Sequence, residues 1–214
     1  MRPFLLLAVS LPLCAAESAW LADNDVRVTL SALPTAYDST FKNTDTGFTV
    51  DDSGSVDSAG WLAVDFQMTV HQAGWAAFVL GAGVDAIGIT DENAVQKSSL
   101  GGVGGHLALG AAIRPGDFFS LEGTVLAGGG VAASTIESKN GNFTNDSDSG
   151  NYGTLGVLVR SVFTLEPGFQ VFGQVGYLGM RFKTDYDSTI TTGDTTQEVT
   201  FSGLTYGVGL GWRF

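Results

Sequence analysis

Along most of the chain, large apolar residues alternate one by one with small or polar ones. At the C-terminus Leu204, Tyr206, Val208, Leu210, Trp212 and Phe214 interleave with Gly203, Thr205, Gly207, Gly209, Gly211 and Arg213. Only an extended strand sends two such sets to opposite faces. The same separation sets Leu62, Val64, Phe66, Met68 and Val70 between Trp61, Ala63, Asp65, Gln67 and Thr69. It returns over 106–114 and 155–165. The pattern predicts strands near 26–33, 59–71, 75–87, 100–114, 118–131, 152–165, 169–182 and 199–214. Most exceed the five or six residues usual in soluble sheets. Several reach the roughly 9–11 residues that a tilted strand needs to cross a bilayer.

The connections alternate in length. Short turns fall at 72–74, 115–117 and 166–168, and long polar segments at 34–58, 88–99, 132–151 and 183–198. An even strand number with short turns at one end and long loops at the other predicts an all-β fold. It is an antiparallel, up-and-down transmembrane barrel of about eight strands. Phe48 and Val50 within 34–58 leave room for a further hairpin. That hairpin would make ten strands and is expected only as an extension above the membrane. Helices fit poorly, because the apolar runs 75–89 and 100–113 are interrupted by Asp85 and His106 and loaded with glycine. Each glycine costs a helix about 1 kcal/mol relative to alanine.

The N-terminus has a different character. Arg2 is followed by an apolar run from Phe4 to Leu13, too short to span a bilayer, and then by Cys14-Ala15-Ala16. This is the anatomy of a secretory signal peptide over 1–16, with cleavage after Ala16 or after Ser18. It leaves 17–214 as the barrel domain. Lipid attachment at Cys14 is disfavoured, since Leu13 stands where a small residue is needed. The cleaved chain holds no cysteine, so no disulfide framework or thiolate metal site is expected.

Charge sharpens the picture. Of 214 residues 15% are charged, 30 are glycine, and the net charge is -12. The four long segments hold 14 of the 22 acidic residues and all four lysines. Such an acidic balance argues against a nucleic-acid partner. Within the predicted strands Asp65, Asp85, Glu122 and Arg160 fall on the small-residue face, and Arg181 falls on the other. A soluble barrel would alternate too, but would carry Lys, Glu and Thr on its solvent face. Here that face bears Gly81, Gly83, Gly104, Gly110, Gly128, Gly203, Gly207, Gly209 and Gly211. A crowded lumen calls for small residues beside a few long polar ones.

The ending Tyr206-Gly-Val-Gly-Leu-Gly-Trp-Arg-Phe214 resembles the C-terminal signature of bacterial outer-membrane barrels. In architecture the cleaved chain is similar to the OmpA-like, OmpX-like and opacity-like eight-stranded barrels. The resemblance implies that Tyr206, Val208, Leu210, Trp212 and Phe214 form an assembly signal read by the barrel-assembly machinery. It also implies a monomer in the bacterial outer membrane, surrounded by lipid and lipopolysaccharide. No peptidoglycan-binding domain follows Phe214, so no wall tether of that kind is expected.

Candidate chemistry is sparse. His71 and His106 are the only histidines. His106 faces inward with Ser120 and Glu122 on the next strand, a Ser/His/Glu grouping that matches no family motif. A hydrogen-bonded lumen histidine is the better reading, and no catalytic residue is assigned. Asp65, Glu122 and Arg160 also point inward. Glu122 and Arg160 lie on neighbouring strands, where an ion pair would plug the lumen or, if broken, open a gate. The segments Asp51-Asp52-Ser53-Gly54 and Asn145-Asp146-Ser147-Asp148-Ser149-Gly150 are rich in oxygen ligands but lack EF-hand spacing. No metal or cofactor is expected, beyond loose bridging by divalent cations between these carboxylates and lipopolysaccharide phosphates. Gly102-Val103-Gly104 lacks the setting of a dinucleotide site.

Three functions remain open. One is a structural or surface-interaction role through long acidic extracellular loops, with an unspecified surface ligand. The others are a narrow pore or conduit for small apolar molecules, and a lipid-modifying enzyme. Eight strands enclose a space that side chains can fill, which favours the first.

Overall fold

The computed structural model describes residues 18–20, 23–92, 96–139, 144–147, 149–186 and 194–214. The segment 1–16, expected from sequence to be a signal peptide, lies outside them. The described residues form twelve strands and no helix. The first four are β1 (Ser18–Trp20), β2 (Asn24–Ala32), β3 (Ala36–Asn43) and β4 (Thr49–Ser55). Then come β5 (Ser58–Ala73), β6 (Ala76–Glu92), β7 (Gln96–Ile113) and β8 (Phe119–Ser138). The last are β9 (Thr144–Asp146), β10 (Ser149–Leu165), β11 (Phe169–Tyr186) and β12 (Thr195–Arg213).

Every pairing is antiparallel, and β2 pairs with both β5 and β12. The order β2-β5-β6-β7-β8-β10-β11-β12 therefore returns to β2 and closes an eight-stranded ring. Closure leaves no free edge in the ring, the condition for a sheet to sit in lipid. The short turns follow the sequence pattern. At β5–β6 the chain reverses through Gly74, whose φ of +60° is a left-handed value that suits glycine in a tight hairpin.

All eight predicted strands are present, but the long loops are shorter than expected. β6 runs to Glu92 and β7 begins at Gln96, where 88–99 reads as a loop by polarity. Polar side chains do not end a ladder whose backbone groups remain paired. Above the lipid both faces can be wet, and the apolar period that marks a strand is lost.

The segment 34–58 does hold the extra hairpin. β3 pairs with β12 in the register set by β2, since Ala32 opposes Tyr206 and Tyr37 opposes Phe201. The break falls at Pro34, which has no N–H to give the ladder. Beside it lies Gly203, at φ +155°. A Cβ there would come within 3.2 Å of the Pro34 ring. On the other arm Ala36 opposes Ser55, whereas Ala32 opposes Gly60. One extra residue is thus accommodated around Val56–Asp57. This bulge turns the even-numbered residues of β4 toward the barrel axis, while in β5 the odd-numbered ones point inward.

The ring's two faces differ sharply. Leu107, Leu155, Leu204, Tyr206 and Val208 point outward and are each more than 60% exposed. Large apolar side chains lining a whole belt this way identify the lipid-facing surface. Inward lie Arg27, Thr29, Asp65, Gln67, Glu122, Arg160, Gln170 and Gln174, all buried.

Candidate functional site

The lower lumen, toward the short turns, is organised by Arg27. Its guanidinium grips the Glu122 carboxylate with two N–H groups, Nη1 to Oε2 at 2.5 Å and Nη2 to Oε1 at 2.9 Å. The remaining donors reach Asp25 Oδ2 at 2.8 Å, Gln170 Oε1 at 3.1 Å and Gln67 Oε1 at 3.3 Å. All five guanidinium N–H groups are thereby used. Gln67 Nε2 donates to Glu122 at 3.2 Å, and Arg213 Nε donates to Asp25 at 3.0 Å. Taking these charges out of water is costly, and the geometry offsets it through near-complete pairing.

A second network crosses the middle of the lumen. His106 lies between two carboxylates, with Nε2 2.7 Å from Asp65 Oδ1 and Nδ1 2.8 Å from Asp85 Oδ2. The Tyr152 hydroxyl donates to the other Asp85 oxygen. Arg160 gives Nη2 to Asp65 Oδ2 at 3.3 Å and Nε to Gln174 at 2.7 Å. The ring of Phe172 separates the two networks, with the Arg27 guanidinium 5.6 Å from its centroid and that of Arg160 at 5.7 Å.

Above these polar layers the lumen is apolar. Leu33, Trp61, Leu126, Leu158, Leu178, Met180, Phe182 and Phe201 form one buried cluster. The inward glycines make room for it. A Cβ on Gly209 would strike the Phe172 ring, and one on Gly156 would strike Leu178. The lumen is thus filled by large side chains seated on glycine hollows of adjacent strands. Beside His106 only about 10 Å³ of space remains, roughly that of one water.

The mouth holds a cavity of about 170 Å³. Ile89, Val199 and Phe201 contribute its apolar lining, together with Tyr37 and Phe41 of the hairpin. Asp52 and Asp91 supply charge, and among the described residues no Lys, Arg or His lines it. Asp52 reaches the cavity because of the bulge below β4, and it accepts a hydrogen bond from the Tyr37 hydroxyl at 3.3 Å. Partial burial and the Asp52 charge push the Tyr37 phenol above its ordinary value.

The residues singled out from sequence are distributed as follows. Glu122 and Arg160 stand directly opposite in register. The expected pair between them does not form, because Glu122 is held by Arg27 and Arg160 by Asp65 and Gln174. Arg27 was not singled out. Its partner Glu122 lies across the barrel interior, 95 positions away, so neighbouring-strand reasoning does not reach it. The inward alternation Arg27, Thr29, Ser31 was the available signal. The Ser120/His106/Glu122 grouping does not assemble, since both imidazole nitrogens are taken by aspartates and Ser120 is bonded to Glu122 at 3.5 Å. His71 lies near the turn end of β5, at a local irregularity in its pairing. No group of residues suited to hold a metal ion occurs among the described residues. Tyr206, Val208, Leu210, Trp212 and Phe214 all lie on the outer face, exposed.

A closed antiparallel ring with an apolar belt and a polar interior defines a transmembrane β-barrel. Residues 66–214 match the outer membrane protein beta-barrel domain model, and the chain belongs to that family. Its place is the bacterial outer membrane. Among solved structures, the chain is similar to the attachment invasion locus protein Ail of Yersinia pestis, at 13% identity and TM-score 0.41. That match covers 90% of this chain and 98% of Ail. It is similar to OprG of Pseudomonas aeruginosa at 14% identity and TM-score 0.45, covering 91% and 97%. It is also similar to the outer membrane protease OmpT of Escherichia coli at 8% identity and TM-score 0.42, covering 89% and 97%. No curated protein matches the sequence.

Proposed function

We propose that this barrel is a closed, non-catalytic surface protein whose working part is its acidic mouth and the β3–β4 hairpin above it. The filling of the lumen carries this reading. The Arg27–Glu122 and His106–Asp65 networks, topped by the apolar cluster, occupy the lumen with paired and packed side chains, which supports a plugged barrel. The described parts of the mouth segments are predominantly acidic, so partners bearing positive charge are favoured there. Insertion proceeds through the barrel-assembly machinery, with Phe214 closing the apolar C-terminal face. Lipopolysaccharide surrounds the upper belt.

Complementation tests the reading. A chain in which residues 36–55 are replaced by a short turn should still insert and migrate differently before and after boiling. It should fail to restore the surface phenotypes of a strain lacking the protein. Full restoration by the hairpin-less chain would contradict a surface role.

A further inference from the structure

We infer that the open edge of β4 takes up a further strand from a partner, an extended polypeptide segment with two consecutive basic residues followed by an apolar one. The inference rests on the surface reading above and names the chemistry of its partner. Among the described residues β4 is paired on one side only, with β3. Along β5 the other side is covered by β6, but β6 ends at Glu92, whose N–H turns to the Asp57 carboxylate at 2.8 Å. At the two ends of the hairpin Phe48 accepts from the Asn43 N–H, and the Val56 N–H donates to Thr35. Even-numbered residues of β4 therefore give their main-chain groups to β3, and Thr49, Asp51, Ser53 and Ser55 aim theirs at the open edge. Natural edge strands are blunted by proline, lysine or a bulge. β4 contains neither residue, pairs with β3 without a register shift, and is exposed throughout. A row of N–H and C=O groups thus stands ready for a ladder, which is how sheet edges recognise extended peptides.

Charge selects the occupant of that edge. Residues 36–55 carry Asp38, Asp45, Asp51 and Asp52 against Lys42 alone. Asp51 accepts from the Thr40 hydroxyl at 2.9 Å and Asp52 from the Tyr37 hydroxyl at 3.3 Å. Each carboxylate is held in place by β3, and neither meets a cation among the described residues. As successive strand residues they face opposite sides of the sheet, and the exposed Val50 shares the side of Asp52. An antiparallel incoming strand sets one basic residue against Asp52, the next against Asp51 and an apolar one against Val50. A second copy of β4 would bring like carboxylates together, which works against self-pairing.

The test titrates the full barrel, in nanodiscs of zwitterionic lipid, with a short capped peptide centred on Lys-Lys-Val. A second peptide of equal charge, interrupted by proline so that it cannot form a ladder, is the control, and empty nanodiscs correct for lipid binding. The first peptide should bind saturably and slow amide hydrogen exchange at Thr49, Asp51 and Ser53, and the control should not. Asp51→Asn combined with Asp52→Asn should weaken binding about fivefold. Ser53→Pro should weaken it about fivefold by removing one edge-directed N–H. That N–H gives nothing to β3 and proline is tolerated on edge strands, so the hairpin stays folded, which unchanged exchange at Val50 and Gly54 will verify. Equal binding of the two peptides, or full affinity in Ser53→Pro, would reduce the contact to charge attraction and overturn the inference. An absence of saturable binding would overturn it too. The surface reading would survive that result if the chain lacking residues 36–55 still failed in complementation.

Discussion

Replacing Arg27 by methionine should destabilise the barrel far more than neutralising Glu122. Arg27 is fully buried and supplies two of the hydrogen bonds that hold the equally buried Glu122 carboxylate. Without it, Glu122 keeps only Gln67 Nε2 at 3.2 Å and Ser120 at 3.5 Å. An uncompensated buried charge of this kind costs about 3–5 kcal/mol. In Glu122→Gln, by contrast, Arg27 retains Asp25, Gln170 and Gln67, so the loss should stay near 1–3 kcal/mol. In the double variant neither charge is left alone, and its cost should fall well short of the sum. Reversible denaturant unfolding in lipid vesicles, followed by tryptophan fluorescence, measures all three. The same cycle on Glu122→Gln and Arg160→Met is the control, because those residues share a register but not a hydrogen bond. The 27–122 coupling should exceed the 122–160 coupling by at least about 1 kcal/mol. Additive effects at 27 and 122 would refute the lumen network as described.

Gly209→Ala should cost about 1–3 kcal/mol in the same unfolding assay, because its methyl is driven into the Phe172 ring. Val159→Arg places a charge on the exposed lipid-facing surface and should cost about 2–4 kcal/mol if it lies near the bilayer midplane. At the mouth, Lys139 Nζ sits 2.8 Å from Glu92 and holds its carboxyl below the usual carboxylate range. The bridge is therefore present above the ordinary glutamate value and is lost as pH falls through the lowered one. In Lys139→Ala, the Glu92 titration followed by NMR should return upward. Deleting Phe214 should lower the yield of inserted barrel and leave precursor in the periplasm, as fractionation followed by immunoblotting will show.

The ring was legible in the sequence because lipid and lumen impose opposite chemistry on alternate residues. Leu204 to Phe214 carry that code without interruption. The upper ladders were not legible, since β6 past Gly88 and β7 before Leu100 lie where water wets both faces and polarity resembles a loop. Asp65, Glu122 and Arg160 could be placed inward by parity alone. Their partners could not, because contacts across a lumen join strands far apart in sequence, as Arg27 and Glu122 do. The mouth cavity was hidden for another reason. A one-residue bulge reverses parity between β5 and β4, so counting from Asp65 would have sent Asp52 outward.

A filled lumen is the central claim, and single-channel recording in planar bilayers tests it most directly. The account predicts a flat baseline from the inserted full-length barrel at moderate voltage, with insertion verified by heat-dependent gel migration of the same preparation. Regular conductance steps from that preparation would contradict it.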